Sequence, residues 1–257
     1  MHLKAFGKVN LYLDVISRRK DNYHNILTLF QSINKHDEIF IEFSKSEIFE
    51  SEPPLTISWD KNIIKKAIET FKKETGLYDF NLKIKLIKNL PIGGGVGGGS
   101  ADAAAVLGFL SNIFNIPEKD LFEISCKIGS DVPFLIKGGT AIGKGKGEIL
   151  EFLEPLKLNI KIYPMNYNID TKKMYEKIDQ NWESINHFGD PYKLYDALKS
   201  NDIITAKQNA FNVFEQVVFK EYPKLKQKKK ALEKDEGIIF ALMSGSGSTI
   251  YKVISTN

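Results

Sequence analysis

The sequence predicts an α+β fold. Strand-like stretches crowd the first 60 residues, helical periods fill the middle and most of the stretch beyond Pro164, and the regular β-α-β alternation of a doubly wound sheet is missing. With 257 residues the chain has room for one large domain or two modest ones, and a 42% hydrophobic share supplies a sizeable core. A split near Pro164 gives domains 1–163 and 164–257.

The elements follow in order. Residues 8–15 and 38–43 alternate polar and apolar positions, the period of a strand with one covered face. Asp21-Asn22 is a turn signal between them. Asp60 is placed to cap a helix reaching about Thr75, with Ile64, Ala67, Ile68 and Phe71 inward and Gly76 as its stop. Residues 82–88 alternate cleanly until Pro91 and a glycine run break the pattern. From Ser100 the period turns helical, with Ala103, Val106, Leu107, Leu110 and Phe114 on one face. Pro117 opens a second helix that ends near Gly129, and short strands are expected over 132–153. An apolar run at 158–163 precedes Pro164. The chain closes with a strand at 238–242, a loop at 244–248 and a strand at 249–254.

The glycine run is the most informative segment. Pro91 and Ile92 lead into Gly93, Gly94, Gly95, Val96, Gly97, Gly98 and Gly99, then Ser100 and Ala101. So many glycines cost conformational entropy, and they are useful where backbone N–H groups must approach a ligand with no Cβ in the way. A helix start directly after them offers unpaired N–H groups and partial positive charge, both suited to phosphate. The Ser100 hydroxyl suits a phosphate oxygen or a metal ion, and equally a plain helix cap. A Walker A loop is excluded, because no lysine precedes Ser100. Gly93-x-Gly95-x-x-Gly98 fits the dinucleotide fingerprint formally. The acid expected about 20 residues on should end a strand, whereas Asp120 lies in a helical stretch.

Composition narrows the partners. The net charge is +4, and nearly all the cations are lysines, Arg18 and Arg19 being the exceptions. The dense block 226–230 reads as a wet helix face rather than a nucleic-acid surface. A modest positive sign suits a polyanionic small molecule such as a nucleotide. Cys126 is the single cysteine, so no internal disulfide is possible, and its neighbours Leu121, Ile124 and Ile128 suggest a buried thiol. His2, His24, His36 and His187 show no metal-ligand spacing. Neither a signal region nor an apolar stretch of about 18 residues is present. A cytoplasmic protein with no membrane, nucleic-acid or protein-bound metal partner is expected, as a monomer or homodimer.

Several segments together resemble a known family. Residues 91–104 resemble the phosphate-binding motif of the kinases named for galactose, homoserine, mevalonate and phosphomevalonate, the GHMP superfamily. The other motifs are Phe6-Gly7-Lys8-Val9-Asn10, Asn22-Tyr23-His24, Asp60-Lys61-Asn62-Ile63-Ile64, Gly129-Ser130-Asp131-Val132-Pro133-Phe134, Gly143-Lys144-Gly145-Lys146-Gly147-Glu148 and Ser244-Gly245-Ser246-Gly247-Ser248-Thr249. Their order over residues 3–252 is similar to the branch whose acceptor is a cytidine-diphosphate-linked methylerythritol. The resemblance implies Mg²⁺-ATP as co-substrate and transfer of the γ-phosphate to a tertiary 2-hydroxyl, on the non-mevalonate route to isoprenoid precursors. It implies the GHMP kinase fold, an N-terminal domain like the second domain of ribosomal protein S5 followed by a ferredoxin-like C-terminal domain.

It also implies roles. Asp131 takes the hydroxyl proton, with Lys8 beside it. Pro91, the glycine run, Ser100 and Ala101 hold the ATP phosphates, and Asn62, Ile63 and Lys88 line the adenine pocket. Asn10, Tyr23, His24 and, as a second aromatic wall, Tyr175 bind the cytidine. Ser244, Gly245 and Ser246 meet the phosphates of the acceptor. Read without the resemblance, Asp131 is equally a turn residue, Lys8 a solvated strand lysine, and the aromatic pair hairpin packing. Three positions depart from the pattern. Asn22 replaces a common glycine and tolerates the same left-handed turn. Ala101 replaces a serine. The chain stops at Asn257, soon after its final strand, which leads us to expect an incomplete C-terminal sheet with an exposed edge. The alternatives are another GHMP-type kinase, a dinucleotide-binding oxidoreductase or an RNA-binding module.

Overall fold

A computed structural model describes residues 1–255, which form two compact units interleaved along the chain. The first comprises Met1–Gly7, Ser32–Ile92 and Gly97–Gly138; the second comprises Lys8–Gln31, Gly93–Val96 and the chain from Gly139 onward. The long strands β1 (His2–Arg18) and β2 (His24–Ser44) each contribute to both.

In the first unit the far half of β2 pairs antiparallel with β4 (Asn81–Ile87), which pairs parallel with β3 (Ile48–Glu52). Four helices accompany them: α1 (Ile63–Thr75), α2 (Gly98–Phe114), α3 (Glu118–Cys126) and α4 (Val132–Lys137). The alternation of β4 buries Leu82, Ile84 and Leu86, while α1 buries the four residues its period predicts. Phe71, Phe80 and Phe114 close this core, with ring centroids 5.2–6.4 Å apart.

Three local expectations are corrected. Asn62, not Asp60, caps α1: its side chain accepts from the Ile64 N–H at 2.9 Å, while Asp60 lies in the short 3₁₀ turn Trp59–Lys61. Gly76 ends the helix in the left-handed conformation as expected. Residues 132–137 are a helix rather than a strand, with Pro133 in its first turn, where a missing N–H costs nothing. Cys126 is exposed, because the turn of α3 points Leu121, Ile124 and Ser125 inward.

In the second unit the near half of β2 pairs antiparallel with β5 (Thr140–Lys144), which forms a hairpin with β6 (Ile149–Leu153). β1 pairs in parallel with the two-residue β8 (Phe211–Asn212). A separate sheet has the order β7 (Asn159–Tyr163), β10 (Ile250–Ile254), β9 (Ile238–Met243), so the last strand of the chain is central and β7 and β9 are the edges. Helices α5 (Thr171–Gln180), α6 (Pro191–Lys199), α7 (Ile203–Asn209), α8 (Glu215–Glu221) and α9 (Pro223–Leu232) make up the rest. No helix among the described residues is long and apolar enough to cross a membrane.

The period-two pattern of residues 8–15 locates β1 correctly, yet both faces of the strand are covered there. Lys8, Asn10 and Asp14, the polar half of the alternation, are as buried as the apolar half. Burying polar groups is expensive unless they are paired, so such a row marks a place where the chain uses them.

Candidate active site

The glycine turn is built by alternating backbone handedness. φ is +67° at Gly93, +76° at Gly95 and +71° at Gly97, while the residues between them keep ordinary values. Backbones that alternate in this way turn successive N–H groups toward one side, a concavity that suits anions. At Gly95 the requirement is steric as well: a Cβ there would lie 2.0 Å from the Ser244 carbonyl oxygen. Gly97 stands at the N-cap of α2, and no side chain caps that end. Ser100 is the third residue of the helix rather than its N-cap, so it does not serve as the simple cap. The uncapped first turn leaves N–H groups for a ligand.

The remaining expected nucleotide residues of the first unit gather around the start of α2. Ile63 packs beneath Gly99, within 3.3 Å of where its Cβ would be, and beside Gly129. Asn62 is buried, its carbonyl oxygen used as the α1 cap. Gly129 adjoins the Ser100 hydroxyl, and two residues on Asp131 begins α4, half-buried and making no capping bond. Lys88 sits deeper than an adenine-lining lysine should. Its side chain is 5% exposed, and its ammonium pairs with Asp37 and, at 2.7 Å, with Asp102 of α2. Asp37 also accepts from the N–H groups of Asn89 and Leu90 at 2.6 and 2.7 Å. The second oxygen of Asp102, Oδ1, has no partner. Burial pushes the Asp102 carboxyl up to about 8 against the pull of Lys88, and Asp37 adds to the rise. Asp37 and Asp102 had no role in the motif reading. The signal for Asp102 is a lone acid among small apolar residues at the head of a helix.

In the second unit Lys8 is buried, and its ammonium donates to Asn10 Oδ1 at 2.8 Å. The Asn10 amide donates to Thr28 Oγ1 at 2.8 Å, and Thr28 donates to the Tyr12 carbonyl. A base contact by Asn10 would compete with these bonds; here the residue holds Lys8. The Lys8 N–H donates to the Val96 carbonyl at 2.9 Å, which ties the strand to the glycine turn.

His24 is buried and shares a 2.8 Å hydrogen bond with Asp179, and Tyr175 stacks on its ring at 4.5 Å and 16°. Tyr23 is 59% exposed, and the left-handed Asn22 (φ +63°) turns the chain just before it. One face of Tyr175 is thus taken by His24. The loop 244–249 is stitched to the glycine turn, since Ser244 Oγ donates to the Gly95 carbonyl at 2.9 Å and the Thr249 N–H donates to the Gly94 carbonyl at 3.1 Å. Ser246 bonds Thr171, and the Asn212 amide donates to the carbonyls of Met243 and Gly245. The two serine hydroxyls therefore serve the loop itself.

An anion-shaped glycine turn at an uncapped helix start, on an α+β scaffold with a buried lysine beside it, is the equipment of an ATP-dependent small-molecule kinase. Comparison with known proteins agrees. The model of the GHMP kinases N terminal domain matches residues 62–139 and that of the GHMP kinases C terminal region matches residues 194–256. A 4-diphosphocytidyl-2-C-methyl-D-erythritol kinase of Petrotoga mobilis is 88% identical over all 257 residues of both chains. Another, from Pseudothermotoga lettingae, is 40% identical over 97% of this chain and 90% of its own. A crystal structure of 4-(cytidine 5'-diphospho)-2C-methyl-D-erythritol kinase superposes with a TM-score of 0.80 at 29% identity, covering all of this chain and 91% of that one. Streptococcus pneumoniae phosphomevalonate kinase shares the fold with a TM-score of 0.70 at 15% identity. The chain belongs to the GHMP kinase family, among the 4-diphosphocytidyl-2-C-methyl-D-erythritol kinases. The dinucleotide-binding oxidoreductase is thereby overturned, and the antiparallel pairings of β2 with β4 and β5 give the physical reason: the described residues form no doubly wound parallel sheet to carry it.

Proposed function

We propose that this protein transfers the γ-phosphate of ATP to the tertiary 2-hydroxyl of 4-diphosphocytidyl-2-C-methyl-D-erythritol, a step toward isoprenoid precursors by the non-mevalonate route. The observation that carries the reading is the glycine turn: three left-handed positions lead into a helix start that no side chain caps. Backbone N–H groups of residues 93–100 and the Ser100 hydroxyl hold the β- and γ-phosphates, with Pro91 and Ala101 at the borders of the grip and Asn62, Ile63 and the stem of Lys88 toward the base. Tyr23, His24 and Tyr175 take the cytosine.

In the transfer, Asp131 accepts the hydroxyl proton as the acceptor oxygen bonds to the γ-phosphorus. The bond from that phosphorus to the β,γ-bridging oxygen breaks and ADP leaves. Lys8, held by Asn10, stabilises the negative charge on the transferring group. Among the described residues no cluster of three or more His, Cys, Asp or Glu stands ready to hold a metal ion. The N–H and hydroxyl donors at the turn fit phosphate oxygens, so Mg²⁺ is expected to arrive with the nucleotide, where it neutralises phosphate charge. The same reading places the functional division at 163/164 and the protein in the cytoplasm as a monomer or homodimer.

Asp131→Asn tests the reading. Turnover should fall by about 10²-fold or more, the range for losing a general base, while the KM for ATP stays within about twofold. Near-normal turnover would remove Asp131 as the base.

A further inference from the structure

Two carbonyls of the glycine turn are taken by the loop 244–249. The Gly94 carbonyl accepts from the Thr249 N–H at 3.1 Å, and the Gly95 carbonyl accepts from Ser244 Oγ at 2.9 Å. In a trans peptide the C=O and the N–H that follows it point in opposite directions. Turning these two carbonyls toward the loop therefore turns the N–H groups of Gly95 and Val96 away from it. The loop sets the direction of two donors in the phosphate grip, and whatever fixes the loop fixes those donors.

Asn212 fixes the loop. It is the second residue of β8, it is buried, and its backbone lies opposite Leu13 of β1. Its amide donates at 2.6 Å to the Met243 carbonyl and at 2.9 Å to the Gly245 carbonyl, on either side of Ser244. Its Oδ1 accepts from the Phe214 N–H at 2.9 Å, so only one orientation of the amide satisfies all three bonds. Glu215 completes the clamp, its Oε1 accepting from the Met243 N–H at 2.7 Å. A carboxylate in place of the amide would have nearly the same size, yet its second oxygen would face two carbonyls with no hydrogen to offer. Buried acceptors left without donors are costly.

We propose that Asn212 is a positioning residue for nucleotide binding: it acts on the ATP phosphates through Ser244, by aiming the N–H groups of Gly95 and Val96. The proposal rests on the reading that the glycine turn grips ATP. It is tested by calorimetric titration with Mg²⁺-ATP, and with adenosine, which carries no phosphate, as a competitive inhibitor against ATP. Asn212→Asp should weaken ATP about tenfold, the size of one hydrogen bond to a charged group, and leave adenosine within about twofold. Lowering the pH should restore part of the loss relative to the wild type, because the protonated carboxyl regains one donor. Asn212→Ser introduces no charge; it should weaken ATP in the same selective way at every pH, and it carries the test if Asn212→Asp does not fold. Equal weakening of both ligands, or of neither, would overturn the proposal. Gly95→Ala, measured in parallel, should weaken ATP and spare adenosine. If it spares both, the grip itself fails; if it weakens ATP while the Asn212 variants do not, only Asn212 loses its role.

Discussion

Asp37 and Asp102 share one lysine, so one buried carboxyl must go without a counter-charge. Asp37 has three donors, the Lys88 ammonium and two backbone N–H groups, whereas Asp102 has Lys88 alone and a bare second oxygen. Asp102, the less well satisfied of the two, is the one expected to keep its proton. This agrees with the rise of Asp102 from 3.8 to about 8, caused first by burial. An unfolded carboxyl releases its proton near pH 4, so across roughly pH 4–8 the native protein binds a proton that the unfolded chain does not. Stability from this group therefore falls as pH rises through that window and levels off above it. Asp102→Asn keeps the neutral form at every pH. Thermal melts between pH 5 and 8 should show the wild type losing Tm relative to the variant as pH rises; parallel curves would mean that Asp102 is already ionised. Lys8 shows the other limit of reading single residues. By its own surroundings it is a solvated strand lysine, and only the motif marked it out, because nothing within a strand's own period says that its polar face is also covered.

At the scale of elements, the glycine turn and helix α2 were legible as a pair, since a glycine run followed by a helical period has few other uses. The difference between one glycine and another was not. Gly95 is left-handed and its missing Cβ would strike the Ser244 backbone, whereas Gly108, inside α2, has nothing within 4 Å of a Cβ. Gly95→Ala should raise the KM for ATP at least tenfold and lower Tm. Gly108→Ala should stabilise by about 0.5–1 kcal/mol, a gain in helix propensity, and leave kinetics unchanged. Steady-state rates and melting curves on the two variants check this, and matching behaviour would show that the turn does not need its left-handed backbone. Helix α4 was misread as a strand. Its six residues are too few to display a helical period, and an apolar run that short fits either structure.

At the scale of the molecule, the α+β class was visible in the order of strand and helix periods. The division into compact units was not, because each unit collects segments from distant parts of the chain. The fold also decides the ligand class. ATP with Mg²⁺ at about one hundred times its Kd should stabilise the protein by about 2.7 kcal/mol, seen as a rise in Tm, and NAD at the same concentration should give none. A rise with NAD alone would reopen the dinucleotide reading. The residues alone determined where most of the strands and the longer helices fall, where the glycine turn lies, and which family the ordered motifs resemble, for these depend on neighbours a few positions apart. Only the tertiary structure decided that Lys88 serves Asp37 and Asp102, that Asn10 holds Lys8, and that Ser244 is stitched to Gly95. Those pairings join residues as far as 149 positions apart in the last case, and the cost of burying a charge is set by whatever distant surface happens to cover it.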